Sequence, residues 1–245
     1  MSFPKIFKPE KQYKLVRLGK DHDGGYLVGE NSIKNSEVLI SFGINDDWSF
    51  EKDFINKNNS LTVWCYDDKP ILKFLIKKLI INIVFFLSNF KIKKISDLVI
   101  KIFDYFRVKK IITFKKKKIS YNDLNEIISN FDKKKIFLKI DIEGFEYRII
   151  DEILENQSKF VGIIIEFHNV DYHVDLISNF INSLDLKLVH IHPNNSSIID
   201  KNNDPTILEM SFEKNDITVN NEINLPHELD MRNDPSKEDV FLKFK

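Results

Sequence analysis

The sequence predicts an α/β domain built on one doubly wound, mostly parallel, seven-stranded sheet. Two observations carry this. Short apolar runs rich in β-branched and aromatic residues recur seven times along the 245 residues. Amphipathic helical patterns separate several of them, which is the sequence signature of a parallel sheet with helical crossovers.

The strand candidates are 38–42, 61–66, 108–114, 136–140, 161–167, 186–192 and 206–212. Leu124, Ile127, Ile128 and Phe131 repeat at helical spacing, with Ser120 as the expected cap and Asp123 in a capping-box position. Phe145, Ile149, Ile153 and Leu154 mark a second helix, and Val174, Ile177, Ile181 and Leu184 a third. The expected organisation is a single domain over 1–245. The tail over 215–237 is polar, with Pro226 and Pro235, and reads as a surface wrap; 240–244 alternates like one last short strand.

The segment 69–118 is an insertion between the second and third strands, since a crossover needs only about a dozen residues. It carries 15 basic and 2 acidic residues, a surplus of +13 that leaves the remainder of a formally neutral chain at −13. Ile95, Leu98, Val99, Ile102, Phe103 and Phe106 form an amphipathic helix, and 71–90 a greasier one. The longest unbroken apolar run, 83–87, falls far short of the roughly 20 residues of a bilayer-spanning helix. The insertion thus reads as a lid, as packing against the domain, or as a peripheral membrane contact through 71–106. Phe85, Phe86 and Phe90 lie among aliphatic residues rather than interleaved with bases, so no nucleic-acid partner is expected. Cys65 is the only cysteine, and the first dozen residues hold no apolar stretch. A reduced, cytoplasmic setting is expected, membrane-peripheral if the insertion docks.

Ligands of open α/β sheets bind beyond the carboxyl ends of the strands, near the switch point. After the first strand come Gly43, Asn45, Asp46 and Asp47, and after the second Asp67 and Asp68. The fourth ends in Asp141 and Glu143 (KIDIEGFE), the fifth in Glu166, His168 and Asn169 (IIIEFHN). An acid-lined crevice suits hydroxyls and positive charge and suits a pyrophosphate poorly. Neither GxGxxG nor GxxxxGK[ST] occurs. Asp67 stands where a carboxylate would hold a ribose diol. A nucleoside that carries a cation instead of phosphates is S-adenosylmethionine. His190 and His192 share one face of an edge-strand candidate and are expected at the surface.

RLGKDHDGGYLV (17–28), LISFGINDDWSFEKDF (39–54), LKIDIEGFEYRII (138–150), IIIEFH (163–168) and LPHELDMRNDP (225–235) resemble the FkbM-type methyltransferase family, within the class I, seven-stranded fold. The resemblance covers most of the chain outside 69–118, and the D-x-E-G-x-E stretch is its most specific part. It implies methyl transfer from S-adenosylmethionine, usually to oxygen on a sugar or other small molecule. Carried over by position, Gly43 and its neighbours Phe42, Ile44 and Asn45 would face the methionine part of the cofactor. Asp67, with Asp68, would hold the ribose. Asp141, with Glu143, would lie near the sulfonium.

Methylating a hydroxyl requires removal of a proton from a poor acid. His168 is the candidate base, beside the acids Asp141 and Glu166. A divalent metal is the other device, with Asp141, Glu166 and Asn169 as hard oxygen ligands of the kind Mg²⁺ accepts. The acceptor is a small molecule, and the basic insertion suits an anionic one such as a nucleotide sugar or a lipid-linked sugar. Two other classes stay open: a catalytically inactive cofactor-binding protein, and a membrane-associated module built on 69–118.

Overall fold

The computed structural model describes residues 2–89, 92–199, 204–214, 218–220 and 223–245, without the side chains of 85–89, 92–94 and Asn220. The expectations for Phe85, Phe86 and Phe90 lie outside the described residues. So do the parts of the expected wrap at 215–217 and 221–222.

The chain opens with β1 (Gln12–Tyr13), β2 (Leu15–Gly19), β3 (Gly25–Gly29) and α1 (Glu30–Asn35). Then follow β4 (Val38–Phe42), α2 (Ser49–Lys57), β5 (Thr62–Asp67), α3 (Ile71–Asn89), α4 (Ile92–Val108) and β6 (Ile112–Lys116). The second half holds α5 (Asp123–Ile128), β7 (Ile136–Ile140), α6 (Ile150–Glu155), β8 (Phe160–Phe167), α7 (Val170–Ser183), β9 (Lys187–Pro193), β10 (Leu208–Glu213) and β11 (Thr218–Asn220).

Seven strands form one sheet in the order β6-β5-β4-β7-β8-β10-β9. The pairs from β6 to β8 are parallel, and β10 runs antiparallel to both neighbours. This is the doubly wound, mostly parallel, class I methyltransferase-like sheet that was expected. The chain leaves β4 toward β5 and later returns to its other side at β7, so the switch point lies between β4 and β7.

Two apolar cores cover the faces of the sheet. Ile136, Leu138 and Ile140 of β7 and Ile163, Ile165 and Phe167 of β8 enter one core with α5, α6 and α7. Phe137 and Ile164 enter the other, with Tyr26, Phe50 and Phe54. The alternation follows from the period of 2 along a strand. It also sends Lys139 and Glu166 to the second face, where the β2–β3 hairpin covers the sheet. Gly29 N–H and the Ser32 hydroxyl donate to Glu213 Oε1, and the Ser211 hydroxyl donates to the Leu27 carbonyl.

Several local expectations shift. β6 begins at Ile112, not 108, because Tyr105 and Val108 continue α4 into the core at helical spacing. Ser120 does not cap α5 with its hydroxyl. Instead the N-cap position is Asn122, and the Asp123 carboxylate accepts the Ser120 N–H at 2.7 Å across the turn before the helix. The inward face of α4 comprises Leu98, Ile102, Tyr105 and Val108, whereas Val99, Phe103 and Phe106 of the expected stripe are exposed. Phe244 makes a parallel bridge to Phe3 rather than a strand.

His190 and His192 do sit on an edge strand, but both are only 3% exposed. The C-terminal segment lies over them. His190 Nε2 is 2.9 Å from Asp230 Oδ1, and His192 Nδ1 is 3.4 Å from Glu209 Oε2. Asn195 fastens that segment, accepting the Asp234 N–H at 2.7 Å and donating to the Asp234 carbonyl at 2.9 Å.

Gly43 follows β4 with φ +75°, and a Cβ there would stand 1.6 Å from the Asp141 carbonyl oxygen. Its N–H donates to the Tyr66 carbonyl, while Asp141 N–H donates to the Phe42 carbonyl. The glycine therefore lets three strand ends cross at the switch point. Gly43→Ala is expected to destabilise the fold by at least about 2 kcal/mol, from the left-handed conformation plus the displaced backbone. Urea melts of the variant and parent check this; an unchanged midpoint would contradict it.

Candidate functional site

The carboxyl ends of β4, β5, β7 and β8 converge on a cavity of about 490 Å³. Gly43, Ile44, Asn45, Asp67, Asp68, Asp141, Glu143, Glu166 and His168 all line it. Phe42 does not. Its ring is fully buried in the first core against Tyr66, because strand alternation turns it away from the strand end. The cavity does not explain the bare Gly43 either: the Asp141 backbone occupies that space.

Asp67 is held rigidly, accepting the Asn45 N–H on Oδ2 at 2.7 Å and the Lys69 N–H on Oδ1 at 2.8 Å. Ile119, Ile142 and Phe145 line the cavity as apolar wall, and Lys69, Lys117 and Lys118 add positive charge.

The opposite part is a buried acid cluster. The Tyr26 hydroxyl, carried by β3, lies 3.1 Å from Asp141 Oδ2 and 3.0 Å from Glu166 Oε2. A phenol has one proton to donate. The second contact is a hydrogen bond only if one carboxyl is itself protonated. Burial, followed by the charge of Asp141, pushes Glu166 well above the ordinary carboxylate range. Burial also raises Asp141, against the opposing pull of Lys139 and His168. Both carboxyls are thus pushed toward the protonated form, Glu166 the further of the two. Lys139 is buried with its ammonium 5.3 Å from the centre of the Tyr26 ring. Burial lowers its pKa, but the charges of Glu51 and Asp141 win and raise it, so it stays cationic.

His168 sits just past β8, with Phe167 turned into the core. Glu146 Oε1 accepts the His168 N–H at 2.7 Å and contacts Nδ1 at 3.2 Å. Glu146 Oε2 accepts the Gly144 N–H at 2.9 Å. One almost fully buried carboxylate thus fixes both the backbone and the ring. With Nδ1 committed, Nε2 is directed at the acids, 3.5 Å from Glu143 Oε2 and 3.7 Å from Glu166 Oε1. Burial lowers the imidazole pKa, but the hydrogen bond and charge of Glu146, joined by Asp141 and Glu143, outweigh it and raise the value.

The expected metal trio does not assemble. Asn169 is exposed at the start of α7, in a left-handed conformation (φ 51°), and lines no part of the cavity. The Glu166 carboxylate is already engaged by Tyr26 and, at 3.3 Å, by Asn194. Among the described residues, Asp141, Glu143 and His168 are the group whose donor atoms come within 4.8 Å of one another.

Three participants escaped sequence reasoning. Glu146 ends the D-x-E-G-x-E stretch, and a histidine that acts as a base needs an orienting carboxylate. Tyr26 follows the DHDGG turn, and nothing in that stretch links it to residues more than a hundred positions away. Lys139 reads as an ordinary lysine until its flanking apolar residues place it inside a buried strand.

Among the described residues, the cavity takes Lys69, Lys117 and Lys118 from 69–118 and no side chain of α3 or α4. The pair packs beside the site and is bolted to the β4–α2 loop. Lys78 and Lys101 reach Asp46 at 2.8 and 3.2 Å, and Trp48 Nε1 donates to Asp104 at 2.7 Å.

No family model matches the chain, and no curated protein does. Among solved structures it is similar to a precorrin-6y C5,15-methyltransferase from Geobacter metallireducens GS-15, at 10% identity over 76% of this chain and 85% of that one, TM-score 0.43. It is similar to the fibrillarin pre-rRNA processing protein of Methanococcus jannaschii, at 10% identity over 84% of each chain, TM-score 0.41. A putative caffeoyl-CoA O-methyltransferase from Staphylococcus aureus matches at 11% identity over 74% of this chain and 78% of that one, TM-score 0.36. At TM-scores below 0.5 these likenesses carry no argument, and function is argued from the site itself.

His168 is expected to titrate above the ordinary imidazole value of about 6.5. Its charged form then adds stability below that value, and the contribution is lost as pH rises through the raised one. Glu146→Gln removes the main stabilising charge and is expected to move the midpoint down. Imidazole NMR titration of both proteins checks this; identical midpoints would contradict the pairing.

Proposed function

We propose that the protein is an S-adenosylmethionine-dependent methyltransferase acting on a hydroxyl oxygen of a small molecule, a sugar foremost. The observation that carries this reading is His168. It lines, with its Nδ1 held by Glu146, a cavity that also presents a rigid carboxylate, Asp67, at the end of β5. The sequence resemblance to FkbM-type methyltransferases points the same way.

The residues fit the cofactor's chemistry. Asp67 offers a fixed acceptor for a ribose diol, with Asp68 beside it. Ile119, Ile142 and Phe145 give an apolar wall for a base. Asp141 and Glu143 favour a cationic centre near the switch point. S-adenosylmethionine, when bound, supplies the electrophilic methyl group.

The chain's own contribution is alignment and proton removal. Holding an acceptor oxygen in line inside a walled cavity converts an encounter into a positioned displacement. His168 takes the hydroxyl proton on Nε2. The Glu146 carboxylate, on the other ring nitrogen, stabilises the imidazolium that forms. Lys69 and Lys118 favour an anionic acceptor such as a nucleotide sugar or a lipid-linked sugar, while Lys117 is paired with Asp123 and Glu126. Mg²⁺ is the weaker reading. Asp141, Glu143 and His168 would hold it, but His168 would spend Nε2 on the metal, and Mg²⁺ prefers an all-oxygen set.

The experiment is isothermal titration with S-adenosylmethionine and S-adenosylhomocysteine, beside Asp67→Ala. Micromolar binding that Asp67→Ala weakens by about tenfold or more, roughly 1.4 kcal/mol, is expected. No binding of either compound to folded protein would overturn the proposal. On an acceptor found by screening, His168→Ala is expected to lower turnover about 10²- to 10⁴-fold with cofactor affinity unchanged. Binding without turnover on any hydroxyl would favour an inactive cofactor-binding protein.

A further inference from the structure

The α3–α4 hairpin leaves large apolar side chains in water. Its inner surface is satisfied: Ile71, Leu75, Tyr105 and Val108 are buried in the second core. Beyond that, exposure is high on both helices: Ile80 56%, Val84 61%, Ile100 65%, Phe103 65% and Phe106 50%. Isolated apolar residues on a surface are ordinary, but this many on one two-helix element mark a contact surface.

Charge identifies the occupant. Residues 71–110, which span the two helices, carry ten basic and two acidic side chains, a surplus of +8. Lys78 and Lys101 are committed to Asp46, but Lys73 and Lys77 of α3 are exposed, as are Lys109 and Lys110 in the turn just after α4. A second copy of the chain would bring two strongly positive surfaces together, which repulsion opposes. A nucleic acid would leave the phenylalanines and isoleucines without a partner. An anionic lipid surface satisfies both features, with apolar side chains entering the headgroup–acyl boundary and lysines attracted to the headgroups. Among the described residues no helix is long and apolar enough to cross a membrane, so the contact lies on the bilayer and does not span it.

We propose that the α3–α4 hairpin is a docking surface for anionic membranes, independent of the reaction assigned to the cavity. Its base is fixed to the β4–α2 loop by the Asp46–Lys78 and Trp48–Asp104 contacts, so docking would hold the cavity rim beside the lipid.

Co-sedimentation of the full chain with vesicles tests this. One set is phosphatidylcholine alone, the other phosphatidylcholine with phosphatidylglycerol. The parent should pellet with the anionic vesicles, far less with the neutral ones, and should be released by salt. Ile80→Asp/Phe103→Asp should abolish pelleting. Lys73→Ala and Lys77→Ala should each lower the partition coefficient about fivefold. All four positions are exposed, and circular dichroism melts verify that the variants fold. Equal pelleting by the parent and the double aspartate variant, or no pelleting with either vesicle, would overturn the proposal. So would concentration-dependent dimerisation without lipid that the double variant loses, which would make the surface a self-association face.

Discussion

The Tyr26 hydroxyl stands between two acids at the carboxyl end of the sheet, 3.1 Å from Asp141 Oδ2 and 3.0 Å from Glu166 Oε2. The sheet sets Glu166, Glu209 and His192 in register across β8, β10 and β9, with Asp141 just past the end of β7, on the face that the β2–β3 hairpin covers. Three acids side by side on a buried surface repel one another and lose hydration. Tyr26 bridges Asp141 and Glu166, Asn233 Nδ2 donates to Glu209 Oε1 at 2.7 Å, and Lys139 supplies buried positive charge. The hairpin and the C-terminal segment are thus held on the sheet partly by a polar seam that needs them.

That seam also sets the chemistry at its edge. His168 lies where the acids meet the cavity. The burial that raises the carboxyls pulls the imidazole down, while Glu146 pulls it up. The groups are arranged so that one carboxyl pair is pushed toward its protonated form while a neighbouring histidine is oriented to accept a proton. Environments that drive adjacent titratable groups apart are a common property of proton-transfer sites. Structural networks share this property, so its weight here comes from the cavity that His168 lines.

The sheet was legible because its strands are short apolar runs whose ends carry acids, and six of the seven strand spans lie within two residues of their expected positions. The third strand began late because helical spacing through Tyr105 and Val108 overrode its β-rich composition. The acids at four strand ends could be read from the order of the chain. Their partners could not, since Tyr26 reaches Glu166 across 140 residues through a hairpin whose docking no local pattern encodes. The histidines of β9 misled for a related reason. An edge strand is exposed only until another segment lies over it, and Asp230 belongs to a tail whose path is set by tertiary contacts. Gly43 taught a different lesson. Glycine signals close approach, but the approaching group was the chain's own Asp141 carbonyl.

The central claim is that the Asp141–Tyr26–Glu166 bridge contains a carboxyl proton in the folded protein. Carbon-detected NMR titration of the side-chain carboxyls, assigned with Glu166→Gln, measures this directly. The account predicts that one carboxyl of the pair remains protonated well above the ordinary carboxylate range of about 3.9 to 4.3, and that Asp141→Asn lowers the Glu166 midpoint by removing a charge that helps to raise it. Two carboxyls that both ionise within the ordinary range would contradict it.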